Sequence, residues 1–199
     1  MVVFPPEKRP KYKLGEGAEG KIYRIGPNNA IKYIYPNPDY AELDPTREEF
    51  IAGHYVHMIA HLLFPDIFVD VTARSVKGMH FSQIMERIPF DEGSLHYYGH
   101  LDNACSRCSA HKRRCIEFMD GPEMRRVLNS GIRFEPKATN MGFTRNGNLK
   151  IFDLVANSNL PRSLNTDMLR RSMEEMHTPP DIRKRVETFL KRIRELVPQ

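Results

Sequence analysis

The chain has 199 residues, 40% of them apolar and 28% charged, with a formal net charge of +5. That length holds one domain, or two small lobes around a cleft, and buries a sizeable core without disulfide staples. No run approaches the ~18 apolar residues of a membrane span. The start, Met1 to Pro10, has no apolar stretch of the secretory kind, so the expectation is a cytoplasmic protein with no membrane partner. The excess charge gathers at Lys112-Arg113-Arg114 and Arg183-Lys184-Arg185. It reads first as solvated helix faces and only second as a nucleic-acid surface.

In chain order, residues 1–10 are Pro-rich and read as an extended arm. Tyr12-Lys13-Leu14, Lys21–Ile25 and Ala30–Tyr35 read as three short strands. A glycine cluster and the turn Gly26-Pro27-Asn28-Asn29 join them into an antiparallel meander. Asp44-Pro45 marks a helix start, Asp as N-cap and Pro at the first helical position. Ile51, Tyr55, Met58, Ile59 and Leu62 then keep helical spacing from Thr46 to Leu63, before Pro65. Two more strands are expected near Ile67–Ala73 and His80–Arg87, whereas 91–120, rich in Gly, His, Tyr and Cys, shows no readable period. Pro122–Leu128 reads as a short helix and 133–140 as a polar loop. Met141–Phe143 and Leu149–Leu154 read as a β-hairpin around Thr144–Gly147. Helices over Thr166–Met176 and Asp181–Leu196, parted by Pro179-Pro180, close the chain.

Gly15-Glu16-Gly17-Ala18-Glu19-Gly20 is a G-x-G-x-x-G pattern. In dinucleotide folds such glycines open a helix. Here strand-like Lys21–Ile25 follows, which favours a hairpin whose backbone amides lie over phosphates. One strand later Lys32 stands among apolar residues, where burial is costly unless an anion pairs with it. Leu14 through Lys32 resembles the start of the protein kinases and their small-molecule-kinase relatives. Ile22 stands where the family has valine, and Ala30-Ile31-Lys32 is similar to its Val-Ala-Ile-Lys signature. The resemblance implies that Leu14, Ile22 and Ala30 line an adenine pocket, and that Gly15, Gly17, Gly20 and Lys32 hold ATP phosphates. It also implies a helix glutamate that orients Lys32. Glu48 and Glu49 both qualify, and Glu49 also stands at capping-box spacing from Thr46. Met85-Glu86-Arg87-Ile88 resembles the hinge, with Met85 as gatekeeper and backbone groups of Glu86 and Ile88 on the adenine edge.

Arg133-Phe134-Glu135-Pro136-Lys137-Ala138-Thr139-Asn140 resembles the catalytic loop His-Arg-Asp-Leu-Lys-Pro-Glu-Asn. Lys150-Ile151-Phe152-Asp153-Leu154 resembles the approach to Asp-Phe-Gly. The implied roles are Asn140 and Asp153 on magnesium, Lys137 on the migrating phosphoryl group, and Glu135 on the acceptor hydroxyl. The resemblance covers residues 12–155, and only Leu154 to Gln199 follows Asp153. It implies an α+β, bilobal fold: a kinase-like amino-terminal lobe over 11–88 and a reduced, mostly helical lobe over 89–199. The catalytic-loop hairpin would occupy 132–155. The implied activity is ATP-dependent phosphoryl transfer to a protein or small-molecule acceptor. Glu135 in place of aspartate, the lost Asp-Phe-Gly glycine and the short second lobe motivate an alternative, a nucleotide-binding pseudokinase-like module.

The three cysteines fall between Cys105 and Cys115, a poor disulfide framework. Cys105-x2-Cys108-x2-His111-x3-Cys115 offers four zinc-type ligands. The two readings are reduced thiols and a structural zinc that staples the segment between hinge and catalytic loop.

Overall fold

The computed structural model describes residues 13–17, 20–34, 46–77, 80–99, 105–134, 137–152, 154 and 164–197. The extended arm expected at 1–10 lies outside them. The described residues form an α+β fold with a five-stranded antiparallel sheet, a separate two-stranded hairpin and six α-helices. None of these helices is long and apolar enough to cross a membrane.

Strands β1 (Lys13–Gly17), β2 (Gly20–Arg24) and β3 (Asn29–Ile34) make the expected meander. Strands β4 (Val71–Lys77) and β5 (His80–Glu86) complete the order β1-β2-β3-β5-β4. Helix α1 (Arg47–Leu63) lies between β3 and β4 in the chain, so β3 ends up central, paired with β2 and β5. Residues opposite one another in antiparallel strands share a face. One face therefore carries Ile22, Lys32 and Gln83 in one row and Ala30 and Met85 in the next.

Helix α1 starts at Thr46 rather than Asp44, which lies with Pro45 outside the described residues. The Thr46 hydroxyl accepts from the Glu49 amide at 3.2 Å, and the Glu49 carboxylate accepts from the Thr46 amide at 2.7 Å. This capping box satisfies two amides at once, which a lone aspartate N-cap does not. Beyond it the helix buries two faces. His54 and His57 turn to the sheet, while Ala52, Val56, Ile59 and Ala60 enter the main core.

That core is built mostly from the second half of the chain. It takes Met124 and Val127 of α4 (Pro122–Asn129), and Leu169 and Met173 of α5 (Thr166–Glu175). Val186, Leu190 and Ile193 of α6 (Pro180–Leu196) join them at helical spacing, and Phe189 stacks on Tyr55 of α1 at 5.4 Å. Gly131 lets the loop after α4 meet the cap of α5. Its φ is +86°, and a Cβ there would stand 2.5 Å from the Asn165 carbonyl oxygen.

Segment 91–120 holds two helices, α2 (Glu92–Gly99) and α3 (Ser106–Met119). They carry no apolar period in sequence because their inward positions are Ser94 and Tyr97 on one and Cys108, His111 and Cys115 on the other. The hairpin of β6 (Met141–Phe143) and β7 (Leu149–Ile151) sits between the two halves. The strand expected at Ile67–Ala73 divides: Ile67–Val69 pairs with Ile151 of this hairpin, and β4 starts only at Val71.

Truncating Leu190, which is 1% exposed, to alanine should cost about 2–5 kcal/mol in guanidinium unfolding. Thr46→Ala should cost ~0.5–2 kcal/mol through the lost cap. Leu95→Ala, at a site 55% exposed, should change stability by less than ~0.5 kcal/mol.

Candidate functional site

The glycine pattern lies on the β1–β2 hairpin. Gly17 pairs with Gly20 and Gly15 with Ile22, so glycines flank both sides of the tip; Ala18 and Glu19 at that tip lie outside the described residues. The helix that a dinucleotide fold would place here is replaced by strand β2. Leu14 falls at an irregularity in β1 and is 47% exposed.

Beneath this hairpin lies a small apolar cluster, separate from the main core. Ala30, Val69, Val71 and Met85 are buried in it, and Ile22, Ile88 and Phe152 pack against it. Sequence reasoning named Ile22, Ala30, Met85 and Ile88, which are far apart in the chain and meet here. It missed Val69, Val71 and Phe152, which arrive through the pairing of Ile67–Val69 with β7.

Lys32 sits next to this cluster on the same sheet face and is buried, 7% exposed. Below it lie side chains of α1. The His54 ring meets the Gln83 amide at 3.3 Å, and His57 Nε2 donates to the Val69 carbonyl at 3.1 Å. His61 Nδ1 donates to the Phe68 carbonyl at 2.8 Å. Burial holds the His57 pKa down to about 3, and the nearby charges of His54, His61 and Lys32 push the same way against the Val69 bond. His57 is thus a neutral ring close to a buried ammonium. Of the two candidate glutamates, Glu49 is engaged by the capping box and Glu48 is exposed in the first turn of α1. The histidines at 54, 57 and 61 recur at helical spacing, the signal that could have marked this face.

The segment after β5 is fastened on both sides. The Glu86 amide donates to the Asp70 carbonyl at 2.8 Å, and the Arg87 amide to the Asn28 carbonyl at 2.8 Å. The Ile88 amide meets no acceptor among the described residues, while its carbonyl accepts from Phe90 at 3.0 Å. Of the two residues expected to face adenine, Ile88 therefore offers the available donor.

In the loop before β6, Phe134 turns inward and meets Phe68 edge-on at 5.9 Å, while Arg133 and Lys137 are exposed. Glu135 and Asp153 lie outside the described residues. A 3-10 turn spans Ala138–Asn140, and the Asn140 carbonyl accepts from the Phe152 amide at 3.0 Å. That bond holds Asn140 across from the residue preceding Asp153. The Asn140 side-chain oxygen accepts from the Thr139 hydroxyl at 3.3 Å. Leu154 is buried in the main core.

The four predicted zinc ligands separate into two groups. Cys105 and Cys108 lie 3.4 Å apart and are joined by His96, whose Nε2 is 3.0 Å from the Cys105 sulfur. His111 and Cys115 form a second, buried pair at 3.5 Å, with His111 stacked on Tyr97 at 4.5 Å. The cause is α3 itself, which rises ~1.5 Å per residue and carries Cys115 about two turns away from Cys108. The Cys105 thiol is pulled down to about 6 by the Cys108 amide first, then by His96 and the Cys108 thiol. Burial pushes the Cys115 thiol up to about 11.

No known family model matches the chain, and no curated protein matches it. The candidate site consists of an apolar cluster beside a glycine-flanked hairpin, buried Lys32 next to it, and Asn140 bonded to the far strand pair.

His57 sets a pH dependence. Its pKa near 3 in the fold stands below the ordinary 6.5, so the unfolded chain binds more protons between those values. Stability is full above about pH 6.5 and falls as the pH drops toward 3. Guanidinium unfolding should show a loss of about 2–3 kcal/mol from this group between pH 7.5 and pH 4.5. His57→Gln should flatten that part of the profile.

Proposed function

We propose that this chain binds ATP in the slot under the β1–β2 hairpin and is an ATP-dependent phosphotransferase of protein-kinase-like, bilobal design. The observation that carries the reading is the apolar cluster of Ile22, Ala30, Met85, Ile88 and Phe152 beside buried Lys32. A purine needs apolar faces above and below, with a few polar groups at its edge. Ile22 and Ala30 of the sheet and Phe152, just after β7, would supply those faces, and the Ile88 amide would meet the purine edge. Lys32 would neutralise phosphate charge, and backbone amides of the glycine hairpin would approach phosphate oxygens without side-chain obstruction. Among the described residues, Asn140 offers a hard oxygen of the kind magnesium prefers. Asn140 would hold the ion together with Asp153. When bound, magnesium supplies charge neutralisation between the phosphates. Glu135 would orient the acceptor hydroxyl and Lys137 would stabilise the migrating group. The acceptor is a protein or a small molecule.

A second reading, a nucleotide-binding module with no turnover, draws on Glu135 in place of the catalytic aspartate and on Leu154-Val155 where the kinases have Phe-Gly after the metal aspartate. Of the two candidate glutamates of α1, Glu49 also caps its own helix.

Thermal melts with ATP and magnesium test the shared claim. ATP at a hundredfold excess over its Kd should stabilise the protein by about 2.7 kcal/mol. That corresponds to a rise of roughly 5–10 °C for a chain of this size. Lys32→Ala should abolish most of the shift and Asn140→Ala should remove its magnesium dependence. An identical melting temperature with and without ATP in the wild type would overturn both readings. ATP hydrolysis or phosphoryl transfer lost in Lys32→Ala selects the enzyme. A full thermal shift with no turnover, unchanged by Glu135→Asp, selects the binding module.

A further inference from the structure

Apart from the nucleotide slot, three ligand-type side chains converge where α2 hands over to α3. His96 comes from the last turn of α2, Cys105 is the N-cap of α3, and Cys108 lies in its first turn. The His96 Nε2 is 3.0 Å from the Cys105 sulfur, the two sulfurs are 3.4 Å apart, and the three ligand atoms all lie within 4.8 Å of one another. Tetrahedral zinc, with Zn–S near 2.3 Å and Zn–N near 2.0–2.1 Å, sets its ligand atoms about 3.5–3.8 Å apart. The His96–Cys105 and Cys105–Cys108 separations fall up to roughly half an ångström short of that spacing, so an ion enters with small outward shifts of these ligands.

The surroundings suit a thiophilic cation. Cys108 is fully buried, while Cys105 and His96 are partly exposed, which leaves an approach from solvent. The Cys108 amide points at the Cys105 sulfur at 3.4 Å, an outer bond that steadies a thiolate ligand. Two thiolates and a neutral imidazole balance a divalent charge. A bare dithiol needs no imidazole against its outer sulfur. The spacing Cys105-x2-Cys108 was visible in sequence, but the third ligand comes from upstream, not from His111 or Cys115.

We infer that His96, Cys105 and Cys108 form a binding site for a thiophilic divalent cation, zinc foremost, which fastens the end of α2 to the start of α3. Among the described residues the site has three protein ligands, and a fourth ligand would complete the tetrahedron.

Cobalt titration of the reduced full-length protein tests this. One cobalt per chain should bind, with thiolate-to-metal charge-transfer absorption and the visible bands of tetrahedral cobalt, and zinc should displace it. Cys105→Ser and Cys108→Ser should each lose the charge-transfer signal. His96→Gln should weaken binding by at least the roughly 10–100-fold that outer-shell changes bring. Cys115→Ala, in the separate pair, should bind as wild type, and so should Lys32→Ala in the nucleotide slot. Because Cys108 is buried, a Cys108 variant can fail by unfolding. The partly exposed Cys105 and His96 variants, checked by far-UV circular dichroism, keep the test decisive. Zinc should also raise the melting temperature of wild type but not of Cys105→Ser. No cobalt spectrum in the wild type would overturn the site. So would a spectrum insensitive to both His96→Gln and Cys105→Ser, or one lost equally in Cys115→Ala.

Discussion

The structure depends on the backbone of Ile151. Its amide donates to the Ile67 carbonyl at 2.7 Å, and its carbonyl accepts from the Val69 amide at 3.1 Å. These two bonds join the loop after α1 to the β6–β7 hairpin, although the two segments are far apart in the chain. Each contributes about 0.5–1.5 kcal/mol net, but losing a buried partner costs about 1–3 kcal/mol. Two further bonds, Asp91 to Phe143 and Arg145 to Pro89, fasten the segment after β5 to the same hairpin. Phe90 then packs over Gly142, where a Cβ would meet its ring at 2.6 Å, so only glycine admits that approach. The hairpin thereby delivers Phe152 to the apolar cluster under the sheet and Asn140 to the opposite strand.

Lys32 shows how the surroundings of one cation are arranged. A buried ammonium is costly without compensation, and His57 of α1 lies close enough to feel its charge. Burial and the ammonium itself both keep His57 neutral, so the ring adds no second positive charge. The Nε2 proton of that ring is fixed by the Val69 carbonyl, beside the same hairpin contact that holds Ile151. Lysine environment and strand pairing are therefore coupled through three consecutive residues, Phe68 to Asp70. His61 is bonded to the Phe68 carbonyl, and Asp70 to the Glu86 amide.

Much of this was legible in sequence where local chemistry is strong. The glycine hairpin, the β6–β7 hairpin and helices α1, α4, α5 and α6 were marked by turn residues or apolar spacing. The meeting of Ile22, Ala30, Met85 and Ile88 followed from motif order. Helices α2 and α3 were not legible, because Ser94, Cys108, His111 and Cys115 fill positions where a periodic reading looks for Leu or Ile. The extent of α1 was legible to within one residue, but its N-cap is Thr46, two residues after the expected Asp44, because Thr46 and Glu49 build a reciprocal cap. Phe152 was missed for another reason. Its place in the cluster arises from pairing between distant segments, which leaves no spacing to read. The grouping of His96 with Cys105 belongs to the same class.

Helix α1 is held by the last helix of the chain as well as by the sheet. Here α6 packs along its outer side, with Phe189 on Tyr55 and Leu190 in a core shared with Val56 and Ile59. Helix α1 is therefore fixed on three sides: by the sheet through His54 and His57, by α6, and by its capping box at Thr46. Moving it relative to Lys32 would require opening the main core, not just sliding along the sheet.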